Sequence, residues 1–124
     1  MFDHVIIDVS DLEASRAFYE RALAPLGISV VMEFEGRTAF GPASGRPQFW
    51  LVSRGTPAAT GVHVAVTAPD HEAVDEFHRA ALAAGGRDNG APGLRPLYHS
   101  SYYGAFVLDP DGNNIEAVHH GPVF

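Results

Sequence analysis

The sequence predicts an α+β fold made of two tandem βαβββ modules. The main observation is an internal repeat: a shift of 59 positions places "HVIIDVSDLEASRAFYERALAPLG" (residues 4–27) on "HVAVTAPDHEAVDEFHRAALAAGG" (63–86) with ten identities and no gap. Chance gives about two identities for an Ala-rich composition, so we interpret the match as a duplicated supersecondary unit. The ends of the halves also match, "FWLVSRG" (49–55) on "IEAVHHG" (115–121), with seven extra residues in the second half.

The first module begins with "FDHVIIDV", in which apolar and polar residues alternate as in a half-buried strand. "SDLE" (10–13) has the form of a capping box with Ser10 as the cap, so we expect a helix from there to about Leu23. Pro25 and Gly27 end this helix. Three further strands follow: "ISVVMEFE", "TAFG" and "GRPQFWLVS".

The second module repeats this order. We expect a strand over 61–67, a helix over 70–84 that Gly85 and Gly86 end, and a short strand near 94–99. "YYGAFVLD" and "NIEAVHH" are two more strands, and the "PDGN" between them is a strong hairpin signal. We therefore expect a single domain, 1–124, of two modules at about 1–57 and 58–124.

Composition excludes several classes of protein. The chain has 124 residues, a net charge of −7 and no cysteine. An acidic surface repels phosphate backbones, so nucleic acid is not an expected partner. A disulfide framework and Cys-ligated zinc are excluded. No apolar run has the length of a membrane span, and the N-terminus has no signal-peptide pattern, so we expect a cytoplasmic protein.

Two tandem βαβββ units in a chain of this size resemble the vicinal oxygen chelate superfamily, which includes glyoxalase I, fosfomycin-resistance proteins, bleomycin-resistance proteins and extradiol dioxygenases. The resemblance covers nearly the whole chain and is most specific in "AFVLDPDGNNIEAV" (105–118). It implies a cupped mixed sheet with the helices on the outside and one divalent metal, Fe, Mn, Ni or Zn, on the concave side. It also implies a homodimer.

The resemblance places the metal ligands at His4, His63 and Glu116. Strand parity gives an independent argument, because each of these residues alternates with apolar neighbours and all three therefore point to the same side. Two imidazoles and one carboxylate leave open positions on a metal for water and substrate. Trp50 stands where some members have a fourth, acidic ligand, which departs from the glyoxalase I pattern.

Further candidates are aromatic or polar residues near this set. Gln48, Trp50, Tyr98 and Tyr102 are expected to line a substrate pocket, and His99 and Tyr103 are candidates for acid–base catalysis. The simpler interpretation is a surface loop with ordinary tyrosines and a packed Trp. Four other histidines are expected to lie outside the site: His71 and His78 on the second helix, and His119 and His120 exposed after the last strand.

The leading functional hypothesis is a small metal-dependent enzyme of lyase/isomerase, transferase or dioxygenase type that acts on a small oxygenated molecule. The alternative is a metal-free binding protein of the bleomycin-resistance type, which would use the aromatic residues. An acidic protein suits a cationic ligand. Whether the concave site forms within one chain or between two chains of a dimer is open at this point, because both pairings use the same strands.

Overall fold

The computed structural model describes residues 1–121 and contains two βαβββ modules in tandem. The first module has four strands, one helix and a short 3₁₀ turn at Ala24–Leu26: β1 (Val5–Asp8), α1 (Leu12–Leu23), β2 (Ser29–Phe34), β3 (Arg37–Gly41) and β4 (Phe49–Val52). The second module repeats this order: β5 (His63–Thr67), α2 (His71–Ala83), β6 (Arg87–Leu94), β7 (Tyr102–Leu108) and β8 (Asn114–His120). The predicted fold class is confirmed.

Each module forms one four-stranded mixed sheet. The strand orders are β1-β4-β3-β2 and β5-β8-β7-β6, so the two sheets have the same topology. In each, the first and last strands of the module pair in parallel, and the other neighbours pair antiparallel. Each helix packs against its own sheet, and the two helices also contact each other. The opposite face of each sheet is therefore left without a helix.

The two helices begin at equivalent aspartates. The side chain of Asp11 accepts a hydrogen bond from Ala14 N, and the side chain of Asp70 accepts one from Ala73 N. The prediction that Ser10 caps the first helix was wrong. Ser10 Oγ instead donates to Asp111 Oδ1 at 2.5 Å, because the β7–β8 turn of the second module lies against the start of α1.

The second strand of the second module, β6, lies earlier than predicted. It covers Arg87–Leu94 and not 94–99, although "RDNGAPGL" lacks the alternation typical of a strand. It pairs with β7 as an edge strand, with irregular register around Gly90. The segment forms a strand because its backbone pairs with β7, and its composition alone does not predict this pairing.

A single cluster of buried apolar residues extends across both modules. Phe18 and Tyr19 of α1 and Phe77 of α2 are essentially inaccessible to solvent. Backbone contact also joins the modules, since Ala59 N, which precedes β5, donates to Asp8 O at the end of β1 at 2.7 Å. Within residues 1–121, no helix is long and apolar enough to cross a membrane.

Candidate functional site

A histidine and a buried carboxylate meet on the helix-free face of the second sheet. Glu116 on β8 is paired in register with Ala65 on β5, two residues beyond His63. This brings His63 Nε2 to 2.8 Å from Glu116 Oε1, a hydrogen-bonding distance. The Glu116 side chain is 2% exposed, whereas that of His63 is 52% exposed. The carboxylate therefore lies at the floor of the site and the imidazole at its opening.

The second oxygen of Glu116 also has a partner. The hydroxyl of Tyr102, on β7, donates a hydrogen bond to Oε2. The pKa of Tyr102 is raised above its ordinary value, first by burial and then by this bond to the carboxylate. The phenol therefore stays protonated at neutral pH and acts as a donor. The predicted pocket residue Tyr102 and the predicted ligands His63 and Glu116 thus form one connected group.

Three aromatic rings surround Tyr102. The ring centroids of Tyr98, His120 and His99 lie 4.7, 5.2 and 5.5 Å from its own. The expectation that His120 is exposed was wrong, because the segment before β7 folds over the end of β8 and leaves His120 half-buried. Gly121 N donates to Ser101 O at 3.1 Å and fixes this fold-back.

The hydrogen bonds of His99 define its tautomer. Ser101 N donates to His99 Nδ1 at 3.1 Å, so the ring proton is on Nε2, which lies 3.0 Å from His120 Nδ1. Burial and the neighbouring His120 lower the pKa of His99, which favours the neutral ring. For His99 to accept a proton from a substrate, the bond from Ser101 must open.

His4 lies apart from this group. Its Nδ1 is 2.8 Å from Asp3 Oδ1, and its side chain is 46% exposed. It lines a depression on the first sheet together with Ile6, Arg37 and Trp50. In residues 1–121 of one chain, no three His, Cys, Asp or Glu side chains come together in a group that could hold a metal ion. One chain thus assembles two of the three predicted ligands.

The donor set that is assembled suits a divalent ion. Donor atoms about 2.1 Å from a divalent ion are about 3 Å apart when they occupy neighbouring positions of an octahedral, facial set. The 2.8 Å separation of His63 Nε2 and Glu116 Oε1 is close to this spacing. A metal ion can therefore take the place of the shared proton, and a further imidazole would complete the facial set.

The two pocket candidates on the first sheet face different spaces. Trp50 stacks on Phe34 with a centroid distance of 6.2 Å and an interplanar angle of 4°. Gln48 comes just before β4 and lines an apolar cavity of about 280 Å³ between β1 and β5, with Val5 and Val64. Of these two residues, Trp50 is the one that shares a surface with His4.

Tyr103 points away from the candidate site. It follows Tyr102 on β7, so its side chain is on the helix side of the sheet, where its hydroxyl donates to Asp75 Oδ1 at 2.6 Å. This hydrogen bond and burial raise the pKa of Tyr103. Its ring stacks on His71 at 3.8 Å. The structure therefore separates the two predicted catalytic residues, His99 and Tyr103, by the thickness of the sheet.

His119 was expected to be exposed and is half-buried on the same helix side, where its Nδ1 donates to Ala68 O at 3.1 Å. Two further residues beside the site were not among the predicted site residues. The ring centroid of Phe106 is 6.0 Å from that of His63, and the Arg95 guanidinium lies over Phe106 at 5.4 Å. A signal for Phe106 was available, since it has the same strand parity as Tyr102.

Comparison with known proteins agrees with this architecture. Residues 1–117 match the family model of the Glyoxalase/Bleomycin resistance protein/Dioxygenase superfamily. The chain therefore belongs to this superfamily. Among curated protein sequences, no match to the chain was found.

Solved structures show the same fold. A glyoxalase/bleomycin resistance protein from Albidiferax ferrireducens T118 is 34% identical, with a TM-score of 0.84, and the match covers 98% of this chain and 99% of that one. A glyoxalase/bleomycin resistance protein/dioxygenase family enzyme from Burkholderia phytofirmans PsJN is 20% identical, with a TM-score of 0.74 and coverages of 96% and 98%. Lactoylglutathione lyase from Agrobacterium tumefaciens is 21% identical, with a TM-score of 0.69 and coverages of 96% and 92%.

Proposed function

We propose that this protein is a divalent-metal-dependent enzyme of the vicinal oxygen chelate type that acts on a small oxygenated molecule. The observation that supports this is the Glu116 carboxylate, buried to 2% exposure with His63 on one oxygen and Tyr102 on the other. Burying a carboxylate is costly unless it is well compensated. A role as a metal ligand would account for a carboxylate at this buried position.

Three residues would hold the ion: His63, Glu116 and His4. When bound, a divalent ion supplies Lewis acidity to oxygens of the substrate. Tyr102 would hold the carboxylate, and the ring of Phe106, 6.0 Å from that of His63, would form an apolar wall beside the ion.

The third ligand comes, in this proposal, from a second copy of the chain. His4 lies in a depression lined by first-module residues, and its apolar surroundings are open, with Ile6 42% and Phe34 60% exposed. Pairing this face with the second sheet of a partner would cover these residues and bring His4 to the His63–Glu116 pair. A homodimer would then carry two such sites.

A second candidate function is metal-free binding of a cationic, drug-like molecule. The stacked Phe34 and Trp50 rings offer an aromatic surface, and the net charge of −7 favours a cation. This function makes no use of a buried His–Glu pair on the other sheet.

Metal content tests the proposal directly. Protein purified without chelators is expected to carry about one divalent ion per chain, and the double variant His63→Ala, Glu116→Ala to carry none. The matched control is His78→Ala, Asp88→Ala, which removes a second His–carboxylate pair, with Nε2 and Oδ1 2.9 Å apart, from another surface. Equal metal in the wild type and the His63/Glu116 variant would refute the proposal.

The reaction class needs a separate screen. Three sets of substrates represent the three chemistries considered: thiol adducts of 1,2-dicarbonyls, catechols, and epoxides. Each set is tested with added Fe²⁺, Mn²⁺, Ni²⁺ or Zn²⁺. Turnover that is lost in the His63/Glu116 variant and kept in the His78/Asp88 variant supports the enzyme. Tight binding of an aromatic cation by the metal-free protein, without turnover, supports the second candidate.

A further inference from the structure

We infer that Tyr102 is a positioning residue for the Glu116 carboxylate and thereby sets how tightly the site holds a divalent ion; this rests on the proposed function. The two carboxylate oxygens of Glu116 have different partners. Oε1 faces His63, and Oε2 accepts the hydrogen bond of the Tyr102 hydroxyl. Because Oε2 is held in this way, Oε1 is the oxygen that is directed to a ligand.

The ring of Tyr102 reaches Glu116 by lying across Gly104. A Cβ atom at Gly104 would be 3.2 Å from Tyr102 Cε1 and 3.3 Å from Glu116 Oε2, closer than most real contacts. The φ of Gly104 is not among the positive values of this chain, so the backbone does not demand glycine there. The missing side chain provides the space in which the phenol and the carboxylate meet.

The ring of Tyr102 is also held from its other sides. Tyr98 and His99 come from the segment before β7, and His120 comes from the end of β8 directly opposite Tyr102 in the sheet. The bond from His99 to His120 ties these two elements together. The segment over 97–101 therefore acts on the site through the ring of Tyr102.

The expected effect is on metal affinity. Partners that orient a metal ligand typically change metal affinity 10–100-fold when they are removed. Tyr102→Phe keeps the ring and its packing and removes only the donor. Glu116 Oε2 is then free to turn toward the ion or toward water, and the ordered geometry of the site is lost.

The test measures the affinity of the chelator-stripped protein for Co²⁺, Ni²⁺ and Zn²⁺ by competition with a chromophoric chelator, together with the visible spectrum of the Co²⁺ form. Tyr102→Phe is expected to weaken binding at least about tenfold and to change the Co²⁺ spectrum. Its Tm also falls, because a buried oxygen of Glu116 loses its donor. Gly104→Ala is expected to weaken binding in the same direction. The matched control, Tyr103→Phe, removes a hydroxyl that donates to the carboxylate of Asp75 on the helix side of the same strand, and is expected to bind metal as the wild type does.

Glu116→Gln distinguishes failure of the inference about Tyr102 from failure of the proposed metal site. If this variant loses metal but Tyr102→Phe binds within about twofold of the wild type with an unchanged Co²⁺ spectrum, the role of Tyr102 is refuted and the metal site stands. If the wild type binds no metal, or Glu116→Gln binds as tightly as the wild type, the proposed function fails and the inference fails with it.

Discussion

The hydroxyl of Tyr19, in the first module, donates a 2.5 Å hydrogen bond to the carboxylate of Asp109, in the second. Both side chains are buried, and burial followed by the charge of Asp109 raises the pKa of Tyr19. The other oxygen of Asp109 accepts from the backbone N–H groups of Asp111 and Asn113. The carboxylate of Asp109 thus shapes the β7–β8 turn and binds that turn to α1. The turn leads into β8, the strand that carries Glu116.

Replacement of Tyr19 by Phe should destabilise the protein by about 1–3 kcal/mol, because Asp109 would keep a buried oxygen without its main partner. Urea unfolding followed by circular dichroism measures this. Tyr98→Phe is the control, since Tyr98 is 59% exposed. Equal urea midpoints for the two variants would show that the Tyr19–Asp109 bond does not stabilise the fold.

Gly86→Ala should cost about 1–3 kcal/mol through overpacking. A Cβ at Gly86 would be 2.6 Å from Val107 Cγ1 and 2.7 Å from Phe18 Cε1, both in the core shared by the modules. Thermal unfolding is a suitable measurement. At Gly93 the nearest atom to an added Cβ is the flexible Arg95 Nη1 at 3.2 Å, so Gly93→Ala is the control. A Gly86→Ala protein as stable as this control would contradict the packing argument.

Asp8 should contribute to the acid sensitivity of the fold. Hydrogen bonds from Thr56 and then Arg54 lower the pKa of Asp8 below its ordinary value of 3.8. A carboxyl whose pKa is lower in the folded state adds stability that is complete above its unfolded pKa and is lost as pH falls through the folded pKa. The Tm of Asp8→Asn should therefore fall less than that of the wild type between pH 5 and 2.

The control for this experiment is Glu35→Gln, which changes the net charge by the same amount in the β2–β3 turn. The prediction fails if Asp8→Asn and the wild type lose the same Tm over this pH range.

Mixed dimers should reveal where the third ligand comes from. Neither His4→Ala nor His63→Ala alone should retain metal. When the two variants are expressed together, half of the dimers are mixed, and each mixed dimer has one intact set, His4 of one chain with His63 and Glu116 of the other. The co-expressed protein should then hold about a quarter of the wild-type metal. Metal content near zero would place all three ligands in one chain.

Much of the fold could be predicted from local patterns. The repeat of "HV" followed by Asp and a helix predicts both modules, because alternation in strands and capping at helix starts are properties of short segments. The residue that caps the first helix was predicted incorrectly. The aligned Asp11 and Asp70 cap both helices, whereas Ser10, chosen from its capping-box spacing, turns to Asp111 in the other module. A partner more than a hundred positions away leaves no trace in a local motif.

Part of the site could also be predicted, because strand parity is a property of short segments. Strand parity placed His63 and Glu116 on one face, and sheet register then brought them to 2.8 Å. Parity also separates Tyr102 from Tyr103, although both had been grouped by their closeness in sequence. The half-buried positions of His119 and His120 could not be predicted, since they depend on how Ala68 and the segment before β7 fold against β8.

The sequence by itself determined the duplicated modules, the faces of their strands and the residue types available for metal chemistry, because these follow from periodicity and composition. The tertiary structure decided which of those residues meet. It joined His63 and Glu116 through parallel pairing of β5 with β8, placed Tyr102 across Gly104 onto the carboxylate, and left His4 on the other sheet beside Trp50. Contacts between strands distant in the chain depend on register and packing, which no short segment encodes.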